Sequence, residues 1–298
     1  MSPLRTGWLL FMLISLSSCV SLATGIANAP TYFTALVKVS SLSYSSASGQ
    51  KLDIYYQKPV DASALQPIRP VVIFFYGGSW SYGKKEQYRF VAARLVKEGY
   101  VVVIPDYVKY PQAKFPDFMQ DAARATVWVK QNILKYGGDP QQINIVGHSA
   151  GAFIGALLLA DDSYLTTAGG SPDMVCAFAG LAGPYDFTPE SDDLKAIFGP
   201  PERYDLMHVP PFIDGTEPPM LLLHGEEDDT VGSFNQAHLA EAITQKHGVV
   251  KTILYPKTDH YSIISTFVAW DNGSTPIVKD MVSFFQSHAC QRTESAPN

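Results

Sequence analysis

The sequence predicts an α/β fold in which a mainly parallel central sheet has helices on both of its faces. From residue 35 onward, short runs rich in β-branched and aromatic residues alternate with longer segments of helical periodicity, which is typical of strand–helix–strand units. Two of the short runs, residues 71–76 and 101–104, are continuously apolar, as expected of central strands covered on both faces.

The predicted elements follow one another without an internal repeat. Residues 37–44 and 52–58 predict an opening antiparallel pair, because a Ser- and Gly-rich stretch separates two runs of alternating character. Further strands are predicted at residues 143–146, 174–181, 220–223 and 251–255, and helices at residues 85–98, 118–135, 152–160, 234–246 and 276–288.

A Pro-rich stretch, residues 190–219, interrupts this alternation. We therefore expect a small cap insertion of loops and helices at about residues 185–218, above the sheet. Its large apolar side chains either roof an apolar pocket or pack as in an ordinary loop; they are Phe187, Phe198, Tyr204, Met207 and Phe212.

Composition excludes several classes of function. The 298 residues include 22 Lys and Arg against 28 Asp and Glu, a net charge of −6, and no basic cluster is longer than Lys84–Lys85, so nucleic acid is not an expected partner. The three cysteines are too few and too scattered to predict a disulfide scaffold or a Cys-based zinc site. Without an H-E-x-x-H, G-x-G-x-x-G or phosphate-loop motif, neither a metal nor an organic cofactor is expected.

The first residues predict an export signal. Arg5 precedes an apolar run, residues 8–16, that is too short to span a bilayer. Residues 16–19, Leu-Ser-Ser-Cys, resemble the lipobox of bacterial lipoproteins, in which the cysteine is acylated and becomes the new N-terminus. The resemblance implies a signal peptide at residues 1–18, lipidation of Cys19, a tether over residues 19–34, and a lipid-anchored protein of the bacterial cell envelope. An ordinary secretory signal that contains a cysteine, or an uncleaved anchor, is the alternative.

A serine lies at the apex of a predicted strand–turn–helix unit. The strand ending at residue 146 runs into Gly147, His148, Ser149, Ala150 and Gly151, and a helix of small residues follows. In this context G-x-S-x-G predicts a strained elbow that exposes a nucleophilic serine hydroxyl, with histidine at its variable position. The alternative is a tight turn without a catalytic role.

Serine needs a base and an orienting acid, which we expect downstream in the order Ser, Asp or Glu, His. His260 follows a predicted strand and is the expected base for Ser149. Asp228 and Asp229 are adjacent in the acidic turn after another strand, and motif position favours Asp228 as the acid. Asp186 is a weaker third candidate.

A glycine pair supplies a candidate anion site. The sequence Tyr-Gly-Gly-Ser-Trp, residues 76–80, directly follows a predicted strand. Acyl transfer places negative charge on the carbonyl oxygen, which preorganised N–H groups stabilise. We expect the N–H groups of Ala150, Gly78 and Ser79 to be the donors, with Gly77 needed for conformation. The alternative is a glycine turn packed under the tryptophan.

Together these motifs resemble an α/β-hydrolase of the carboxylesterase or lipase type. The resemblance covers roughly residues 50–288 and rests on residues 76–80, 106–107, 147–151, 183–187 and 224–228 and on His260. Within this class, the sequence is similar to the hormone-sensitive-lipase, isoprenylcysteine methylesterase and feruloyl or acetyl-xylan esterase branches. Tyr76 and Ser79 depart from the lipase-like H-G-G-G motif, which weakens assignment to any one branch.

The resemblance implies an α/β-hydrolase domain over residues 35–290, followed by a flexible tail at residues 291–298. It implies a serine esterase that forms an acyl-enzyme and acts on a small-molecule ester, with Asp106 and Asp121 in structural roles. An amidase or formamidase, an esterase of acylated carbohydrate, and a non-catalytic binding protein remain alternatives.

Overall fold

Eight strands form one sheet in the part of the chain that the computed structural model describes, residues 22–58, 67–271 and 275–291. Their order across the sheet is β1-β2-β4-β3-β5-β6-β7-β8. The antiparallel pair β1–β2 and the mainly parallel character of the sheet are as the sequence predicts, and β2 also runs antiparallel to its other neighbour, β4. The strands are Leu36–Ser43 (β1), Lys51–Gln57 (β2), Arg69–Phe75 (β3), Val101–Pro105 (β4), Gly138–His148 (β5), Ala177–Leu181 (β6), Met220–Gly225 (β7) and Val250–Tyr255 (β8).

The helices are residues 22–28 (α1), Arg89–Lys97 (α2), Asp117–Asn132 (α3), Ala150–Ala160 (α4), Ser163–Thr167 (α5), Asp192–Phe198 (α6), Phe234–Gln245 (α7), Ser262–Ser265 (α8) and Ile277–Ser287 (α9). Helices α2 to α7 connect the parallel strands, α1 precedes the sheet, and α8 and α9 follow it. Every residue of β3 from Val71 onward is buried, which explains its continuously apolar sequence. Among the described residues, no helix is both long and apolar enough to cross a bilayer.

Some predicted boundaries are wrong. The strand predicted from residue 174 begins at Ala177, because Pro172–Met174 form a 3-10 turn. The helix predicted from Lys85 starts with the 3-10 turn Lys85–Tyr88, and α2 follows at Arg89.

The cap insertion contains α6 and the 3-10 turns Pro201–Leu206 and Pro210–Phe212. Its side chains Phe198 and Met207 are at most 1% exposed and belong to the main hydrophobic core. The cap therefore packs down onto the domain through much of its apolar surface.

One expectation needs correction, and one bond was not expected from the sequence. The tether expected over residues 19–34 is wrong where the structure describes it, since α1 and the 3-10 turn Ala29–Phe33 are helical and Asn28 and Thr31 are buried. The cysteines, expected to be too few for a disulfide scaffold, include one bonded pair, Cys176 and Cys290, which are 114 residues apart in sequence. Cys19, the signal peptide and residues 292–298 of the expected tail lie outside the described residues.

Candidate active site

Ser149 occupies a strained turn between β5 and α4. Its backbone has φ 52° and ψ −123°, a left-handed conformation that costs energy for a residue with a side chain. A Cβ on Gly147 would lie 2.4 Å from the carbonyl oxygen of Gly151, and a Cβ on Gly151 would lie 2.0 Å from the carbonyl oxygen of Phe75. Both glycines are therefore required for the strand and helix to approach, and the elbow holds Ser149 at the N-terminus of α4.

The structure brings the three favoured side chains together. The Ser149 hydroxyl oxygen lies 2.9 Å from Nε2 of His260, and Nδ1 of His260 lies 2.8 Å from Oδ2 of Asp228. With Nδ1 protonated and donating to the carboxylate, Nε2 is free to accept the serine proton. Ser149 is only partly covered, so a small molecule can reach its hydroxyl.

The Asp228 carboxylate is held from several sides. Its side chain is 0% exposed, and its Oδ1 accepts hydrogen bonds from the backbone N–H groups of Thr230 and Val231. Burial raises the pKa of Asp228, but the hydrogen bonds from His260 and from this backbone outweigh burial and leave the pKa below its ordinary value. The acid is thus ionised at neutral pH and fixed in direction.

The other two acid candidates lie elsewhere. Asp229 is exposed and is not part of the hydrogen-bonded chain at Ser149. The carboxylate of Asp186 accepts from Nδ1 of His208 and Nδ1 of His238, each at 2.6 Å, and so links the cap to α7. Among the described residues, no group of three or more His, Cys, Asp or Glu side chains is arranged to hold a metal ion.

His148, the variable residue of the elbow, supports the base. Its Nε2 donates to the backbone oxygen of His260 at 2.9 Å, and the two rings lie 5.1 Å apart. Burial, and to a lesser degree the neighbouring His260, lower the pKa of His148 to about 3, so His148 is neutral. Sequence reasoning missed this role, because a contact across 112 residues leaves no local signal.

His224 supports the acid in a similar way. It is 1% exposed, and its Nε2 lies 2.8 Å from the backbone oxygen of Val231. Because Val231 also donates its N–H to Asp228, His224 secures the turn that carries the acid. Burial is the main cause of the lowered pKa of His224.

The glycine loop lies against the nucleophile, as its position after β3 predicts. A Cβ on Gly77 would lie 2.9 Å from Cβ of Ser149, and Gly78 has φ 132°. The turn is closed by the N–H groups of Ser81 and Tyr82, which donate to the Gly78 oxygen. Ala150 is the first residue of α4, so its N–H has no acceptor in a preceding helical turn and is available to an anion.

Tyr76 holds this loop where the lipase-like motif has histidine. Its hydroxyl donates to Oδ1 of Asp106 at 2.5 Å and accepts from Nζ of Lys109 at 2.9 Å, while its backbone oxygen accepts from the Tyr107 hydroxyl. Burial is the main cause of the raised pKa of Tyr76, which keeps the phenol protonated. Although Tyr76 replaces the histidine of the H-G-G-G motif, its hydrogen bonds still hold the loop in place.

An α/β sheet that carries a hydrogen-bonded Ser–His–Asp chain at the carboxyl ends of its strands defines the class of α/β-hydrolases. Solved structures share this fold. Esterase B from Lactobacillus rhamnosis superposes with a TM-score of 0.74 at 19% identity, covering 93% of this chain and 94% of that one. A truncated carbohydrate esterase from gut microbiota gives a TM-score of 0.70 at 22% identity, covering 86% and 97%.

The chain belongs to the BD-FAE family, whose profile matches residues 52–243. It is 33% identical over 192 residues to Esterase LipQ of Mycobacterium tuberculosis. That alignment covers 58% of this chain and 45% of LipQ. It is also 33% identical over 160 residues to a probable isoprenylcysteine alpha-carbonyl methylesterase of Oryza sativa subsp. japonica, with 52% and 36% covered. The chain thus spans less than half the length of these two relatives.

Proposed function

We propose that the protein is a serine esterase that hydrolyses carboxylic esters through an acyl-enzyme. The observation that carries this proposal is the hydrogen-bonded chain from Ser149 through His260 to Asp228. The esterase relatives support the same reaction.

In the first half-reaction, His260 Nε2 takes the proton of Ser149 while the serine oxygen attacks the ester carbonyl. The carbonyl oxygen becomes an oxyanion, and we assign its stabilisation to the N–H of Ala150 and the N–H groups of Gly78 and Ser79. His260 then gives its proton to the departing alcohol. Water, deprotonated by His260, attacks the acyl-enzyme and releases the acid and free Ser149.

The side chains beside the loop favour short acyl groups. Trp80, at the end of the glycine loop that carries the proposed oxyanion donors (here also called the oxyanion loop), is only 3% exposed. Its ring contacts Phe153 of α4 at 5.3 Å, Phe187 at 5.8 Å and Phe198 of the cap at 4.7 Å, measured between centroids. These rings fill the space between the loop, α4 and the cap, so we propose acetyl to butyryl esters as the preferred substrates.

A p-nitrophenyl ester series from acetate to octanoate tests both the esterase mechanism and the preference for short acyl groups. We expect turnover to fall beyond butyrate, and Trp80→Leu to move the preference toward longer chains because it removes ring volume. Ser149→Ala should abolish hydrolysis and labelling by a fluorophosphonate probe. Wild-type turnover in Ser149→Ala would refute the mechanism. Faster cleavage of matched anilides than of esters would instead favour an amidase.

We also propose that the protein is exported and anchored to the cell envelope through acylated Cys19. The disulfide between Cys176 and Cys290 supports an oxidising compartment outside the cytosol. Globomycin should block processing of the wild-type chain, and the mass of the processed N-terminus should include acyl chains. A Cys19→Ser chain that is processed and membrane-bound like wild type would refute the anchor.

A further inference from the structure

The N-terminal part of the described chain has an exposed surface without charge. Residues 22–37 contain no Asp, Glu, Lys or Arg. Within them Leu22, Ile26, Tyr32 and Phe33 are 68%, 56%, 66% and 93% exposed. Leu22 and Ile26 are four residues apart and share one face of α1. Single exposed apolar residues are ordinary, but several in a charge-free segment mark an interaction surface.

The opposite side of this segment is attached to the domain by polar contacts. The Asn28 side chain accepts from the N–H of Phe90 at 2.8 Å and donates to the backbone oxygens of Glu86 and Gln87. Arg89 donates from Nε to the Thr31 hydroxyl at 2.8 Å. A surface helix normally packs its apolar face against the domain. In this segment the large apolar side chains face outward, and polar side chains make the contacts with the domain.

An apolar groove runs beside the segment. Its volume is about 360 Å³, and it lies between the segment, α2 and residues 267–269. Thr34, Leu36, Phe90 and Phe267 are among its lining residues. The basic residues Arg94 and Lys97 also line it, and the next residue beyond 269, Trp270, is 57% exposed.

We propose that the surface formed by residues 22–35 and Trp270, here called the N-terminal surface, lies on a lipid bilayer. This inference rests on the proposed anchor, since Cys19 is three positions before Leu22 and three residues span at most about 11 Å. A lipid-linked chain therefore delivers this surface to the bilayer. Trp and Tyr favour the bilayer interface, and Lys97 suits anionic headgroups.

The N-terminal surface adjoins the oxyanion loop. The Arg89 guanidinium lies 4.6 Å from the centre of the Tyr32 ring, and the next residue, Tyr88, places its hydroxyl 3.5 Å from the Gly77 oxygen. Tyr32 is thus linked to the loop beside Ser149 through Arg89 and its chain neighbour Tyr88. A chain bound through this surface holds its active site close to the headgroups, where esters of lipid-linked or envelope molecules are found.

The test uses the full chain, purified as the cell processes it, with vesicles of phosphatidylcholine and phosphatidylglycerol that carry brominated acyl chains. Bromine quenches tryptophan emission at the bilayer surface, so Trp270 reports contact and Trp270→Phe identifies its signal. The variant Leu22→Ser/Ile26→Ser/Phe33→Ser should lose more than half of the quenching. The control Leu134→Ser/Val249→Ser/Leu254→Ser changes side chains that are 45–56% exposed elsewhere and should keep it.

Both triple variants should retain wild-type turnover of a soluble ester, which shows that they are folded. Equal quenching in wild type and the N-terminal variant would overturn the proposal. A wild-type dimer that becomes monomeric in the N-terminal variant would overturn it in favour of self-association. The mass of the processed N-terminus decides the anchor separately: an acylated chain with unchanged quenching refutes the surface alone, and an unacylated chain that still binds through the surface refutes the anchor alone.

Discussion

Replacement of Asp228 by Asn tests whether the buried acid controls the base. Asn has nearly the same shape and keeps an oxygen that can accept from the N–H groups of Thr230 and Val231. Its remaining group is an NH₂ donor, which cannot accept the Nδ1–H of His260 now donated to Asp228 at 2.8 Å. His260 would then place its proton on Nε2, where it cannot accept one from Ser149. By comparison with the same change in other Ser–His–Asp enzymes, we expect kcat to fall by roughly 10⁴-fold.

The assay is steady-state hydrolysis of p-nitrophenyl acetate, with thermal unfolding measured in parallel. Asp229→Asn is the matched control, because it makes the same change in charge one residue away at an exposed position, and it should stay within about twofold of wild type. The KM of Asp228→Asn should change little, since Asp228 does not face the substrate. If Asp229→Asn lost more activity than Asp228→Asn, the assignment of the acid would be wrong.

Three further predictions concern the fold around the site. Removing the disulfide by Cys176→Ala/Cys290→Ala should lower the free energy of unfolding by about 5 kcal/mol, because the bond closes a loop of 114 residues; urea titration measures this, and an unchanged midpoint would contradict it. His148 has a folded pKa of about 3 against about 6.5 unfolded, so its contribution to stability is complete above pH 6.5 and is lost as the pH falls toward 3. The stability of wild type relative to His148→Gln should therefore fall by roughly 2 kcal/mol between pH 6.5 and 5, whereas parallel curves would show that the histidine is not buried in its neutral form. Gly151→Ala should prevent correct formation of the elbow, because its Cβ would lie 2.0 Å from the Phe75 oxygen, and soluble, active Gly151→Ala protein would argue against this geometry.

Much of the sheet could be predicted because its signals are local. Continuous apolar runs marked β3 and β4, and each glycine of the elbow stands in a fixed relation to Ser149. The order Ser, acid, His also follows from the fold. The acid itself was less certain, because Asp228 and Asp229 have the same chemistry and adjacent positions.

The remaining features depend on contacts between distant parts of the chain. Cys290 meets Cys176 only after α9 packs on the sheet, and His148 reaches His260 only when β5 and the loop after β8 are adjacent. Of residues 22–35 only Ala27 joins the hydrophobic core, so the attachment of this segment through Asn28 had no sequence signal. The periodicity of apolar residues along the sequence indicates which side chains are buried. It carries no information on these contacts, because they are hydrogen bonds or a covalent bond between distant residues.

The sequence by itself determined the class of fold and predicted Ser149 and His260 as the candidate nucleophile and base, since the strained elbow and the strand-end histidine are encoded in short motifs. Only the tertiary structure decided which aspartate faces His260, because burial and backbone N–H groups converge on Asp228 and leave Asp229 in solvent. It also decided that the cap packs against Trp80 and that the N-terminal surface turns its apolar side outward. In each case the physical reason is the same: burial and hydrogen bonding are set by neighbours that are remote in the chain.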